Sequence, residues 1–161
     1  MARANGVVID HLGDEMGEML KALKALTRYA FQTDAEHVLC VAGPSSGAME
    51  MAISNLCYPG RRVLALVSGT FSNRLAEMAR GVGADVTILQ SEPVRPVTAG
   101  QVRTALDAGR YDVVTLVQGE TSCGVKTHDI PEIAHLANAH GALVVVDAVC
   151  TLTTMPMDMD A

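Results

Sequence analysis

Ala142-Leu143-Val144-Val145-Val146-Asp147 is the stretch on which the fold turns: an unbroken apolar run that ends in a carboxylate. Alternate side chains of a strand point to opposite faces of its sheet, so a strand that is apolar throughout must be covered on both sides. Val113–Val117, Val63–Val67, Asp85–Leu89 and the short run His37–Ala42 read as further strands. Between them lie helical patterns. Met16, Leu20, Leu23, Leu26 and Tyr29 recur at helical spacing within Gly13–Phe31, with Lys21, Lys24 and Arg28 among them. Further helices are expected over Gly47–Leu56, Ser72–Arg80, from the cap Thr98 to Ala108, and over Pro131–Ala139. Apolar strands alternating with amphipathic helices predict an α/β domain: a three-layer, mostly parallel sheet with helices on both faces.

Composition narrows the function classes. A chain of 161 residues fits one domain, and no repeat or linker divides it. The net charge is −6, and the only lysines are Lys21, Lys24 and Lys126, so no basic surface for nucleic acid is expected. Cys40, Cys57, Cys123 and Cys150 form no CxxC pair, which suits a reducing, cytoplasmic setting better than a disulfide frame. No apolar run has the length of a membrane span, and Met1–Asp10 does not read as a signal peptide.

In parallel α/β sheets ligands bind beyond the carboxyl ends of the strands. Four such ends carry unusual residues. Gly43-Pro44-Ser45-Ser46-Gly47 leads into a helix, whose free N–H groups and dipole suit a phosphate, with the Ser45 and Ser46 hydroxyls as extra donors; the plainer alternative is an ordinary N-cap. Ser68-Gly69-Thr70-Phe71 places an aromatic ring, able to stack on a flat ligand or to staple the next helix. Gln118-Gly119-Glu120-Thr121-Ser122-Cys123-Gly124 is dense in hydroxyls. Asp147 closes the fourth strand, where a buried carboxylate needs a partner, unless it merely caps the following turn. A phosphate seat, an aromatic face, hydroxyls and a carboxylate together suit pyridoxal phosphate, whose ring nitrogen stays protonated beside an acid. A dinucleotide site is disfavoured, since the first loop is not G-x-G-x-x-G and the next strand ends in Val67-Ser68 without an acid.

These segments resemble the class V aminotransferases, in particular the alanine–glyoxylate and serine–pyruvate branch. The likeness runs in order through Ile9-Asp10-His11, Tyr29–Thr33, Ala48-Met49-Glu50, Asn55-Leu56, Pro59-Gly60, Gly69-Thr70-Phe71-Ser72-Asn73-Arg74, Glu120-Thr121-Ser122-Cys123-Gly124-Val125 and Val146-Asp147-Ala148-Val149. The resemblance implies part of the large, cofactor-binding domain of a fold-type I enzyme, over residues 1–161, which transfers an amino group from alanine or serine to a 2-oxo acid such as glyoxylate or pyruvate as a homodimer. It implies that Ser45 and Ser46 hold the cofactor phosphate, that Phe71 stacks on the ring, and that Ser122 bonds near its phenolic oxygen. Asp147 would pair with the ring nitrogen and Val149 pack on the opposite face. A class V lyase or desulfurase is the alternative, but those enzymes carry His where this chain has Phe71. Pro44 stands in place of a usual Ser, Ser72 of a usual Gly and Cys123 of a usual Thr. The family's cofactor-bonding lysine is expected shortly after Ala161 and its substrate-gripping arginine in a small C-terminal domain, so these residues alone are expected to be inactive. A Gly-Pro-rich segment is likewise expected before Met1.

Overall fold

Every strand of the main sheet runs in the same direction. The computed structural model describes residues 8–157, 159 and 160. In chain order the elements are α1 (Asp14–Phe31), α2 (Ser45–Leu56), β1 (Arg62–Val67), α3 (Thr70–Gly81), β2 (Asp85–Gln90), α4 (Ala99–Ala108), β3 (Val113–Val117), β4 (Gly119–Glu120), β5 (Val125–Lys126), α5 (Ile130–Ala139) and β6 (Leu143–Asp147). The sheet order is β2-β1-β3-β6, and β4 and β5 form a small antiparallel pair. Two compact units emerge: residues 41–154, which hold the sheet, and a smaller one containing α1 and the chain from Met155 onward.

β1 and β3 are covered as their composition requires, whereas β6, at the edge of the sheet, is only partly buried and its Leu143 is exposed. Val63, Val113 and Val117 pack with Ile53 and Cys57 at the C-terminal end of α2 and with Leu75 and Ala79 of α3. On the other face, Leu64, Leu66, Val114 and Leu116 pack with Val102 and Leu106 of α4 and Ile133 and Leu136 of α5. Adjacent strand residues thus serve opposite helix layers, giving the three-layer arrangement. Helix α3 shows the matching stripe: Leu75, Ala76 and Ala79 are buried while Asn73, Arg74, Glu77 and Arg80 face water. Full burial of a side chain such as Leu64 contributes about 1.5–3 kcal/mol.

Topology places the working edge. From β1 the chain crosses by α3 to β2 on one side; from β2 it returns by α4 to β3 on the other side of β1. The direction of travel therefore reverses between β1 and β3, and the crevice for ligands in such sheets lies at the carboxyl ends of the two strands flanking that reversal. Registers Val63↔Val113 and Val117↔Asp147 keep the ends of β1, β3 and β6 along one edge.

One expectation is corrected. His37–Ala42 is not a strand: it joins no ladder, and Leu39 and Val41 are exposed. An apolar run becomes a strand only when a neighbour takes its backbone hydrogen bonds, and no described strand does so. The apolar stripe of α1 forms no core either, since none of its residues is buried and Leu26 and Tyr29 are exposed. In that smaller unit the order comes from polar contacts: Asp160 accepts from the Thr33 hydroxyl (2.6 Å) and the Asp34 N–H (2.7 Å), and Gln32 Oε1 accepts from Met157 N–H (3.0 Å).

The cap expected at Thr98 is present, its hydroxyl accepting from Gln101 N–H (3.3 Å) while the Gln101 side chain accepts from Thr98 N–H (2.9 Å). Thr98→Ala is expected to lower stability by about 1 kcal/mol, read as a shift of the urea midpoint with an unchanged slope.

Candidate active site

Helix α3 begins two residues earlier than its sequence suggests, and the cause lies some fifty residues further on. Glu120, at the end of β4, turns its carboxylate onto the first turn of α3. Its Oε1 accepts from Phe71 N–H (3.1 Å), and its Oε2 accepts from Ser72 N–H (2.8 Å) and the Ser72 hydroxyl (2.8 Å). Ser122 completes the cap, accepting from Thr70 N–H (2.9 Å) and donating to Glu120 Oε1 (2.5 Å). The Ser72 hydroxyl accepts in turn from Ser68 and Gly69 N–H. A helix exposes unsatisfied N–H groups and positive potential at its start, and here one acid meets both.

Glu120 is only 2% exposed. Burial pushes its carboxyl upward, but the bonds from Ser122, Ser72 and Phe71 outweigh burial and hold it below the ordinary glutamate value. Gly69 makes the approach possible: a Cβ there would lie 2.5 Å from Ser122 Oγ and 2.6 Å from Glu120 Cγ. In the sequence Glu120 is one residue of the motif Glu120–Val125, and its part as a cap depends on partners some fifty residues earlier.

The same short segment ties β3 to the turn after β6. Gln118 N–H donates to Asp147 O (2.9 Å), the Thr151 hydroxyl to Gln118 Oε1 (2.5 Å), and the Cys150 thiol to Gly119 O (3.0 Å). A Cβ on Gly119 would meet Thr151 Cγ2 at 2.6 Å and Cys150 Sγ at 2.7 Å. Gln118-Gly119-Glu120 thus links the strand ends on which the expected site residues stand.

Phe71 and Ser122 are brought together through Glu120. Phe71 is half-buried against the α2–α3 core, and the Arg74 guanidinium stands 5.1 Å from its ring centroid. Phe71 stands inside α3 rather than ahead of its cap, so it is no staple; its ring packs on the core and stays partly accessible. The one proton of the Ser122 hydroxyl goes to Glu120, leaving it a lone pair and no donor for a ligand. Thr121 beside it is exposed, with its hydroxyl free among the described residues. Asp147 is half-buried rather than buried, and its Oδ1 accepts from Val149 N–H (2.9 Å), the turn-capping bond. Its Oδ2 makes no bond among the described residues. Val149 is exposed.

Ser45 and Ser46 form the first two residues of α2, behind Pro44 as N-cap, and no side chain caps this helix. Helix α2 finishes close to the start of β1, at the amino edge, so its own start points toward the carboxyl edge. None of the described bonds joins Ser45 or Ser46 to the Glu120 cluster. The start of α3 is closed by a carboxylate, whereas the starts of α2 and α5 carry no side-chain cap. An open N-terminus, a half-exposed ring and a strand-end carboxylate with a free oxygen fit a flat, phosphorylated cofactor.

The sequence matches the family Aminotransferase class-V over residues 2–161. The chain belongs to this family. It is 29% identical to an alanine–glyoxylate aminotransferase of Drosophila melanogaster over 153 residues, covering 95% of this chain and 39% of that protein. It is 32% identical to an L-aspartate–glyoxylate aminotransferase of Paracoccus denitrificans, covering 94% and 39%. A solved alanine–glyoxylate aminotransferase from Nostoc sp. superposes with a TM-score of 0.88 at 31% identity, covering 97% of this chain and 41% of that one. This class V chain therefore spans about two fifths of the length of these relatives, and its family implies pyridoxal phosphate as cofactor. No helix among its described residues is long and apolar enough to cross a membrane.

Two outcomes test the cap. Gly69→Ala is expected to destabilise by about 1–3 kcal/mol through overpacking, whereas Gly81→Ala, with open space around its Cβ, is expected to be neutral or mildly stabilising. Both are read by urea denaturation. Because the folded carboxyl of Glu120 titrates below its unfolded value, its contribution is complete above the unfolded value and is lost as pH falls through the folded one. Glu120→Gln is therefore expected to flatten the acid limb of the stability profile, measured as urea midpoint against pH.

Proposed function

We propose that these residues form part of the pyridoxal-phosphate-binding large domain of an aminotransferase that moves an amino group from a small donor, alanine or serine, to a 2-oxo acid. Glyoxylate is the favoured acceptor, since the named relatives are all glyoxylate aminotransferases. Pyruvate remains within the same chemistry. The protein is proposed to act in the cytoplasm as a homodimer. The observation that carries the reading is the uncapped start of α2, set against an α3 start that a carboxylate closes.

In this reading the backbone and hydroxyls of Ser45 and Ser46 hold the phosphate, and Pro44 takes no donor from them because it sits outside the helix. Phe71 supports one ring face and Val149 the other. Ser122 presents a lone pair rather than a proton to the ring edge. When bound, pyridoxal phosphate supplies an electron sink that works only while its ring nitrogen is protonated. Asp147 holds that proton through its free oxygen, its other oxygen being anchored by Val149 N–H. Phe71, in place of a histidine, favours transamination over the lyase alternative.

Titration with pyridoxal phosphate, followed by absorbance and circular dichroism, is expected to saturate and to be competed by inorganic phosphate. Borohydride is expected to fix no cofactor at any one of Lys21, Lys24 and Lys126, none of which stands where the family has its cofactor-bonding lysine. In the active enzyme Asp147→Asn is expected to retain cofactor and lose transamination about 10- to 100-fold, the cost of one charge-assisted bond. Normal turnover would reduce Asp147 to a turn cap.

A further inference from the structure

We infer that Glu120 is the positioning residue of this site: by closing the start of α3 it fixes the Phe71 backbone and the Ser122 hydroxyl and denies that helix start to a phosphate. The inference rests on the reading of the edge as a pyridoxal phosphate site, but its structural half stands on the bonds themselves.

The chemistry of those bonds makes the residue hard to replace. Each carboxylate oxygen accepts from a backbone N–H, Oε1 from Phe71 and Oε2 from Ser72. A backbone N–H cannot reverse its role, so a glutamine amide, whichever way it is turned, sets an NH2 against one of the two donors. Both oxygens also accept hydroxyl protons, from Ser122 and Ser72. A neutral, isosteric side chain therefore fails on donor count, and it also leaves the positive helix end without its counter-charge.

The effect reaches a ligand through two neighbours. Phe71 hangs from the N–H that Glu120 holds, at a ring only half covered by the core. Ser122 has its proton fixed on Glu120, so its free lone pair points as an acceptor toward whatever lies at the edge. With Glu120 neutral, the start of α3 becomes a second anion seat within the same crevice, competing with α2 for the phosphate. The Ser72 hydroxyl, bonded to Ser68 N–H, Gly69 N–H and Glu120, holds the loop that carries this start.

The test uses Glu120→Gln with two independent readouts. The first is amide hydrogen exchange without cofactor: protection is expected to fall at Thr70, Phe71 and Ser72 while β1 and β3 keep theirs. The second is titration with pyridoxal phosphate and, separately, with inorganic phosphate. The variant is expected to bind pyridoxal phosphate about tenfold more weakly or worse, with a reduced dichroic band for the bound ring, while inorganic phosphate binds at least as well as before. A residue that only supported the fold would lower both affinities together or neither. If the variant unfolds, Ser122→Ala serves instead, expected to shift the same readouts in the same direction by a smaller factor. Unchanged exchange at Thr70–Ser72 overturns the inference, as does an unchanged ratio of pyridoxal phosphate to phosphate affinity. If the unsubstituted protein binds no pyridoxal phosphate, the reading of the site fails, and exchange still decides the part played by Glu120.

Discussion

The carboxylate of Glu120 on the first turn of α3 is the interaction on which the functional edge depends. Burying an acid is costly unless charge and lone pairs are met, and here backbone N–H groups, hydroxyls and a helix end meet them. The benefit is shared, since three leading N–H groups of α3 find acceptors they would otherwise lack. The crevice between β1 and β3 is thereby built from two segments far apart in sequence, and neither has this geometry alone. Gly69 and Gly119 are the steric conditions for it, each lying where a methyl group would collide with the partner segment.

The three positions at which this class V chain departs from its family's usual residues gain physical meaning from the same cluster. Ser72, in place of a usual Gly, adds a hydroxyl that bonds Glu120 and the Ser68–Gly69 loop, so the departure strengthens the cap. Cys123, in place of a usual Thr, still donates, its thiol reaching Ser68 O at 3.3 Å. Pro44 stands at the N-cap of α2, where its fixed φ suits the −67° observed; its missing N–H takes one donor from the loop and leaves those of Ser45 and Ser46. All three leave the open start of α2 and the closed start of α3 intact.

Local pattern made much of the fold legible. The all-apolar runs at Val63 and Val113 are strands because burial on both faces leaves that composition no other stable place. The run at Leu143 is a strand through its ladder with β3 at the sheet edge, and Thr98 is a cap because its partner is only three residues away. Asp147 could be singled out because an acid ending an apolar strand conflicts with its surroundings, though its bond to Val149 N–H is as local as the turn it caps. What could not be read was set by partners distant in sequence. The start of α3 at Thr70 depends on Glu120 and Ser122, and the burial of Glu120 depends on that helix. The apolar stripe of α1 and the run His37–Ala42 had the right composition for core and strand, but composition does not supply a covering surface or a neighbouring ladder. A glutamate between a glycine and a threonine in a polar loop carries one usable signal: a serine two residues on can donate its hydroxyl to the carboxylate.

A phosphate at this edge is kept off the start of α3, because the Glu120 carboxylate already occupies it. A crystal structure of the protein grown with pyridoxal phosphate measures this directly. The account predicts phosphate density on the N–H groups of Ser45 and Ser46, with Glu120 still bonded to Phe71 and Ser72 N–H. Phosphate on the start of α3, with the Glu120 side chain turned away, would contradict it.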